Sequence, residues 1–242
     1  MKHLYNVNKI EKLKWFAKRF GIKEILLKPI RYFISPLVIK FKKKSTFEYK
    51  NKKYEMFYHK YNITWANERC VEIPIVYNEV YKEIINKKKV LEVGNVLYHY
   101  YKPFWDIIDK FEKGDKVENE DICFFKSNKK YNLIVSISTF EHIGYDDDNS
   151  FPSSKKIIMA WNNLKNNFLF RNGRIIITVP IGYNPKMDKL ISKNAFGFNK
   201  EIFLKKIKKN EWIEVSKKEA LKSEYGKPFP YGNCIMIGEY KR

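Results

Sequence analysis

The run Val90-Leu-Glu-Val93, closed by Gly94 and entered from three lysines at 87–89, constrains the fold class more than any other stretch. A short apolar run ending in a glycine is how a buried parallel strand leaves the carboxyl edge of an α/β sheet. Ligands of open α/β sheets bind outside that edge. Two stronger apolar runs follow, residues 131–138 and 173–180, the second stopped by Pro180. Between them, residues 153–169 place Ile157, Ala160, Trp161, Leu164 and Phe168 on one helical face. Apolar strands alternating with helical patterns predict a mostly parallel sheet with right-handed crossovers.

Weaker signals fill in the order. Ile107 and Ile108 form a short strand ending at Asp109, and residues 120–124 give a faint third strand. Residues 77–86 and 200–209 read as helices, and 212–215 and 233–240 as closing strands. The aromatic stretch 45–61 reads as a small hairpin or irregular cover. A chain of 242 residues suits one α/β domain with an extension, so the boundary is set between 1–67 and 68–242.

The extension has its own character. Ile10, Leu13, Phe16 and Phe20 share one helical face, with Lys9, Lys12, Lys14, Lys18 and Arg19 elsewhere. Residues 25–41 are apolar, yet Lys28 and Arg31 sit inside them and Pro29 and Pro36 interrupt them. A spanning helix needs about 20 mostly uncharged residues, and no small-residue cleavage pattern marks a signal peptide. Residues 1–44, bordered by Lys40 and Lys42–Lys44, therefore either lie on an anionic membrane surface or pack on the sheet domain.

A net charge of +21 admits a phosphate-bearing partner such as RNA, or a solvated lysine coat left by coding bias. The lysines are dispersed, and no RNP or GXXG signature is present. Cys70, Cys123 and Cys234 are odd in number and far apart, which predicts a reducing, cytoplasmic setting without a disulfide framework.

Taken in order, residues 90–94, 131–144 and 172–180 resemble the first motif, fourth strand and fifth strand of class I S-adenosylmethionine-dependent methyltransferases, over about residues 68–240. The resemblance implies a Rossmann-like, seven-stranded, mostly parallel sheet with an antiparallel last strand. It also implies S-adenosylmethionine as cofactor and a small-molecule acceptor, with a sugar or glycan precursor as the named class. The implied cofactor contacts are Glu92, Gly94, Asn95, Asp109, Asp121, Ile122 and Ser138. Val96 and Tyr98 stand where that superfamily has further glycines, and Pro103 interrupts the short stretch before Asp109. The loop is either remodelled to hold the cofactor, or the site is lost and the domain is an interaction module. An RNA-modifying methyltransferase is a further alternative.

Each residue has a chemical reading and a plainer one. Glu92 in an apolar strand is costly unless paired; it meets backbone amides or lies near the methionine portion of the cofactor. Asp109 at a strand end accepts the ribose hydroxyls or caps a helix. Asp121 and Ile122 flank the adenine. Glu141 and His142 follow the central strand, where the histidine is a general base or a buried strut. His99, among Tyr98, Tyr100 and Tyr101, stacks on adenine or acceptor, or packs in the core. The acidic run 146–148 holds a metal or forms a solvated turn; lacking spaced partners, it predicts no metal. Tyr183 and Asn184, in a turn by composition, contact the acceptor.

Overall fold

A computed structural model describes residues 9–146 and 151–242. The helices are α1 (Lys9–Phe20), α2 (Ile22–Phe41), α3 (Arg69–Ile85), α4 (Ser153–Asn163), α5 (Pro185–Ser192) and α6 (Lys217–Ala220). The strands are β1 (Thr46–Tyr49), β2 (Lys52–Glu55), β3 (Val90–Val93), β4 (Asp106–Ile108), β5 (Val117–Glu118), β6 (Tyr131–Ile137), β7 (Leu169–Pro180), β8 (Lys200–Lys208), β9 (Glu211–Val215) and β10 (Cys234–Lys241). Strands β1 and β2 pair as an antiparallel hairpin, as the aromatic stretch suggested. The other eight make one sheet in the order β5-β4-β3-β6-β7-β10-β8-β9.

Pairings β5-β4, β4-β3, β3-β6 and β6-β7 are parallel. Strand β10 runs the other way. Arg242 N donates to Gly173 O and Ile181 N to Cys234 O, so partners ascend along β7 as they descend along β10. The sheet thus has eight strands, one more than expected. The additional one is β8, which pairs antiparallel with β9, the expected strand at 212–215, at the sheet edge.

The chain clusters into two compact units. One comprises residues up to Ile75, Pro180–Tyr183 and Phe203–Ile235, and the other Val76–Val179, Asn184–Ile202 and Met236–Arg242. In the second unit, Leu133, Ile134, Val135 and Ile137 of β6 and Ile175–Ile177 of β7 are almost wholly buried. The five residues assigned to the inner face of α4, Ile157, Ala160, Trp161, Leu164 and Phe168, are buried as well. The regular helix stops at Asn163, and a π-turn, Leu164–Phe168, delivers the chain to β7.

Three elements differ from expectation. Residues 200–209 are not a helix: Lys200–Lys208 is a strand, and its bulky Ile202, Phe203 and Leu204 are buried. A tight turn at Lys209-Asn210 folds it onto β9, so cross-strand pairing overrides the helix propensity of its lysines. Residues 120–124 turn instead of extending, with Phe124 N and Phe125 N both donating to Asp121 O. The strand paired beside β4 comes earlier, at Val117–Glu118. Finally, α3 begins at Arg69, well before residue 77, and carries Pro74 inside it. The carbonyl of Cys70, which a proline at 74 cannot engage, accepts instead from Phe57 N at 2.9 Å.

Candidate functional site

The carboxyl ends of β3, β4 and β6 lie side by side, and the turns that leave them gather most of the residues singled out above. Gly94 turns the chain with φ +89°. A Cβ on Gly94 would lie 2.1 Å from Thr139 Oγ1, so the turn after β6 presses directly on the turn after β3. Only glycine meets both demands.

Glu92 is fully buried. Its Oε1 accepts from Val96 N at 2.9 Å and Leu97 N at 2.6 Å, and its Oε2 from Trp105 Nε1 at 2.7 Å. The carboxylate therefore folds the loop where the superfamily pattern has glycines. Burial pushes its pKa up to about 7, against the pull of these three donors.

Asp109 Oδ1 accepts from Phe111 N and Glu112 N, each at 2.7 Å, while Oδ2 accepts from Asn95 N at 3.0 Å. One acceptor position on Oδ2 is left over, because a carboxylate oxygen can take two bonds. Asn95 donates its Nδ2 to Glu112 Oε2 at 3.1 Å, and His99 Nε2 meets the same oxygen at 2.8 Å. Glu112 therefore ties together the two turns. Its position four residues past the strand end carries no signal in the sequence. Asn95 is buried, and its Oδ1 has no hydrogen-bond partner among the described residues. An orphaned buried acceptor is costly, and a donor from a bound molecule would satisfy it.

Asp121 is engaged by groups of the protein. Its Oδ2 lies 2.9 Å from Lys110 Nζ and 3.3 Å from the fully buried Lys156, and its Oδ1 accepts from Cys123 N. Burial alone would raise its pKa, but Lys110, the Cys123 amide and Lys156 hold it below the usual carboxylate range. Ile122 beside it is buried.

Strand β6 ends at Ile137, and Ser138 follows with φ +39°, a strained conformation for a residue with a side chain. Ser138 N donates to Thr178 O at 2.8 Å. A 3-10 turn, Phe140–His142, then presents Glu141 and His142. Glu141 is buried, whereas His142 is two-fifths exposed. His142 Nδ1 lies 2.6 Å from Asp146 Oδ2, and Nε2 lies 3.7 Å from Glu141 Oε1. The rest of the acidic run, Asp147 and Asp148, falls outside the described residues.

Asn184 is fully buried and caps α5, accepting from Lys186 N at 2.9 Å. Its Nδ2 donates to Glu141 O at 2.8 Å, so the side chain braces the turn that carries His142. Tyr183, in the other unit, is buried with its ring edge-on to Tyr225. Neither side chain is placed at an open surface. Trp105, like Glu112, enters through contacts that no local pattern announces, and Asp146, noted only as part of an acidic run, enters as the i+4 partner of His142.

No family model and no curated protein matches the chain. Among the solved structures similar to it are methyltransferases. The N-methyltransferase NodS from Bradyrhizobium japonicum WM9, in complex with S-adenosyl-L-homocysteine, shows 9% identity over 74% of this chain and 94% of its own, with a TM-score of 0.43. A SAM-dependent methyltransferase from Archaeoglobus fulgidus shows 15% identity over 69% and 93%, with a TM-score of 0.39. A SAM-dependent methyltransferase from Thermotoga maritima shows 11% identity over 69% and 96%, with a TM-score of 0.38.

Proposed function

We propose that the chain is a methyltransferase that uses S-adenosylmethionine to methylate a small molecule, with a sugar or glycan precursor as the favoured acceptor class. The observation that carries this reading is Asn95. It puts a buried, unpartnered carbonyl oxygen at the carboxyl edge of the sheet, between the Gly94 turn and Asp109. A ligand with ammonium or ribose hydroxyl donors fits an acceptor so placed, and the remaining acceptor position of Asp109 Oδ2 adds a second.

When bound, the cofactor supplies a methyl carbon already activated by its sulfonium. The chain then has to align the acceptor, exclude water and take up a proton. Asp146 holds the Nδ1 proton of His142, which fixes the tautomer and makes Nε2 the basic nitrogen. An acceptor hydroxyl within reach of Nε2 would give up its proton there. Asn184 and the buried Glu141 keep that turn from shifting.

Calorimetric titration with S-adenosyl-L-homocysteine tests the cofactor. Saturable binding is expected for the wild type and weaker binding for Asn95→Ala. No heat from the folded wild type would leave a methyltransferase-like interaction module instead. Methyl transfer from labelled S-adenosylmethionine to a panel of nucleotide sugars tests the acceptor class.

A further inference from the structure

Helix α2 is built inside out. Several of its polar residues face inward: Glu24 is 7% exposed and Ser35 fully buried. Arg31 is paired with Glu24, donating from Nη2 to Oε1 at 3.0 Å, and it hydrogen-bonds to Tyr231 as well. Trp65 Nε1 donates to Ser35 Oγ at 2.9 Å. The apolar residues face outward. Ile22, Leu26, Ile30, Phe33, Leu37 and Phe41 recur at steps of three and four, and each is 52–80% exposed.

An ordinary surface helix does the reverse. Desolvating Glu24, Arg31 and Ser35 while six large apolar side chains meet water has no rationale for a face that stays wet. The stripe continues into a groove of about 720 Å³ lined by Leu13 and Phe16 of α1 and by Ile25, Pro29 and Phe33 of α2. Exposed Lys23 flanks one end of the stripe, and exposed Lys40, Lys43 and Lys44 flank the other.

We propose that the outer face of α2 is a docking surface for an anionic lipid bilayer, in which the helix lies flat with its apolar stripe among the acyl chains. Apolar bulk with basic flanks is the combination that interfacial helices use, and the net charge of +21 complements an anionic headgroup layer. Among the described residues no helix is long and apolar enough to cross a membrane. The bonds of Arg31 with Tyr231 and of Ser35 with Trp65 hold the helix on the protein, so attachment needs no refolding of its inner face.

The test is co-sedimentation of the full chain with mixed phosphatidylglycerol/phosphatidylcholine vesicles and with pure phosphatidylcholine vesicles. Binding is expected to favour the anionic vesicles and to weaken with salt. It should drop about tenfold or more in Phe33→Asp/Leu37→Asp, judged folded by an unchanged circular dichroism melt. Should that variant misfold, Lys40→Glu/Lys43→Glu/Lys44→Glu is expected to lose the preference for anionic vesicles alone. Absence of vesicle binding by the wild type, or binding that both variants leave intact, overturns the proposal. So does a wild-type dimer that does not bind vesicles and is split by the aspartate variant, since a second copy would then be the occupant.

Discussion

His142 Nδ1 and Asp146 Oδ2 lie 2.6 Å apart, one helical turn from each other, at the carboxyl end of the central strand. The pairing orients the imidazole, so the two residues are expected to act as one device. His142→Ala should lower kcat for a hydroxyl acceptor by about 10²- to 10⁴-fold. Asp146→Asn should lower it less, and neither change should alter affinity for S-adenosyl-L-homocysteine. Steady-state kinetics paired with titration separates this from general damage to the fold.

The acid side and the neutral side of the stability profile should answer to different residues. Glu92 has a folded pKa of about 7, above its unfolded value. Stability from its protonated form is therefore complete below about pH 4.5 and lost as pH rises toward 7, on the order of 3 kcal/mol. Glu79 and Glu83 have the opposite sign. Burial alone would raise them, but Arg174, with Lys82 and Lys88, holds both below the ordinary range. Their contribution is present above about pH 4.5 and lost as pH falls. Thermal melts across pH should show Arg174→Met flattening the acid limb, and Glu92→Gln flattening the fall toward neutrality. The latter should also cost about 1–3 kcal/mol, by setting an amide NH2 against donors.

Gly94→Ala is expected to destabilise the protein by on the order of 2 kcal/mol, from its positive φ and from the collision with Thr139. Adding Thr139→Gly should restore only part of the loss, because the backbone conformation stays unfavourable. Chemical denaturation of the single and double variants measures both contributions.

Asp121→Asn should cost about 1.5–3 kcal/mol, because it neutralises a carboxylate shared by Lys110 and the fully buried Lys156. Replacing both, as Asp121→Leu/Lys156→Met, should be milder than the single change. A double variant as unstable as Asp121→Asn would show that the pair is not what holds this corner together.

These assignments show what was legible beforehand. Strands β3, β6 and β7 could be read because both of their faces are covered, which leaves an unbroken apolar run. The inner face of α4 could be read from its spacing. Strand β8 could not, because its lysines at 205, 206 and 208 mimic a helical surface and its pairing is tertiary. At the site, Glu92, Gly94, Asn95 and Asp109 do converge, since a strand end and the turn after it are local features. Glu112 and Trp105 were invisible because each acts across a loop whose course no periodicity specifies, and Asp146 was seen only as part of an acidic run, not as the partner of His142. Asn184 was noticed for its place after a strand, and its capping bonds then explained why that place calls for an asparagine.

Strands β3, β4, β5 and β6 are joined in succession without a regular α-helix, all within the described residues, the connections holding one 3-10 turn at Leu97–His99. Parallel strands are ordinarily linked through a helix, whose amides protect one another. Here several amides of the first two crossovers depend on single side chains, Glu92 and Asp109. Hydrogen–deuterium exchange should therefore run fast in these loops and slow in the strands between them. A ligand seated at this edge would announce itself as newly slowed exchange at Asn95–Leu97 and Phe111–Glu112, a readout that needs no knowledge of the reaction.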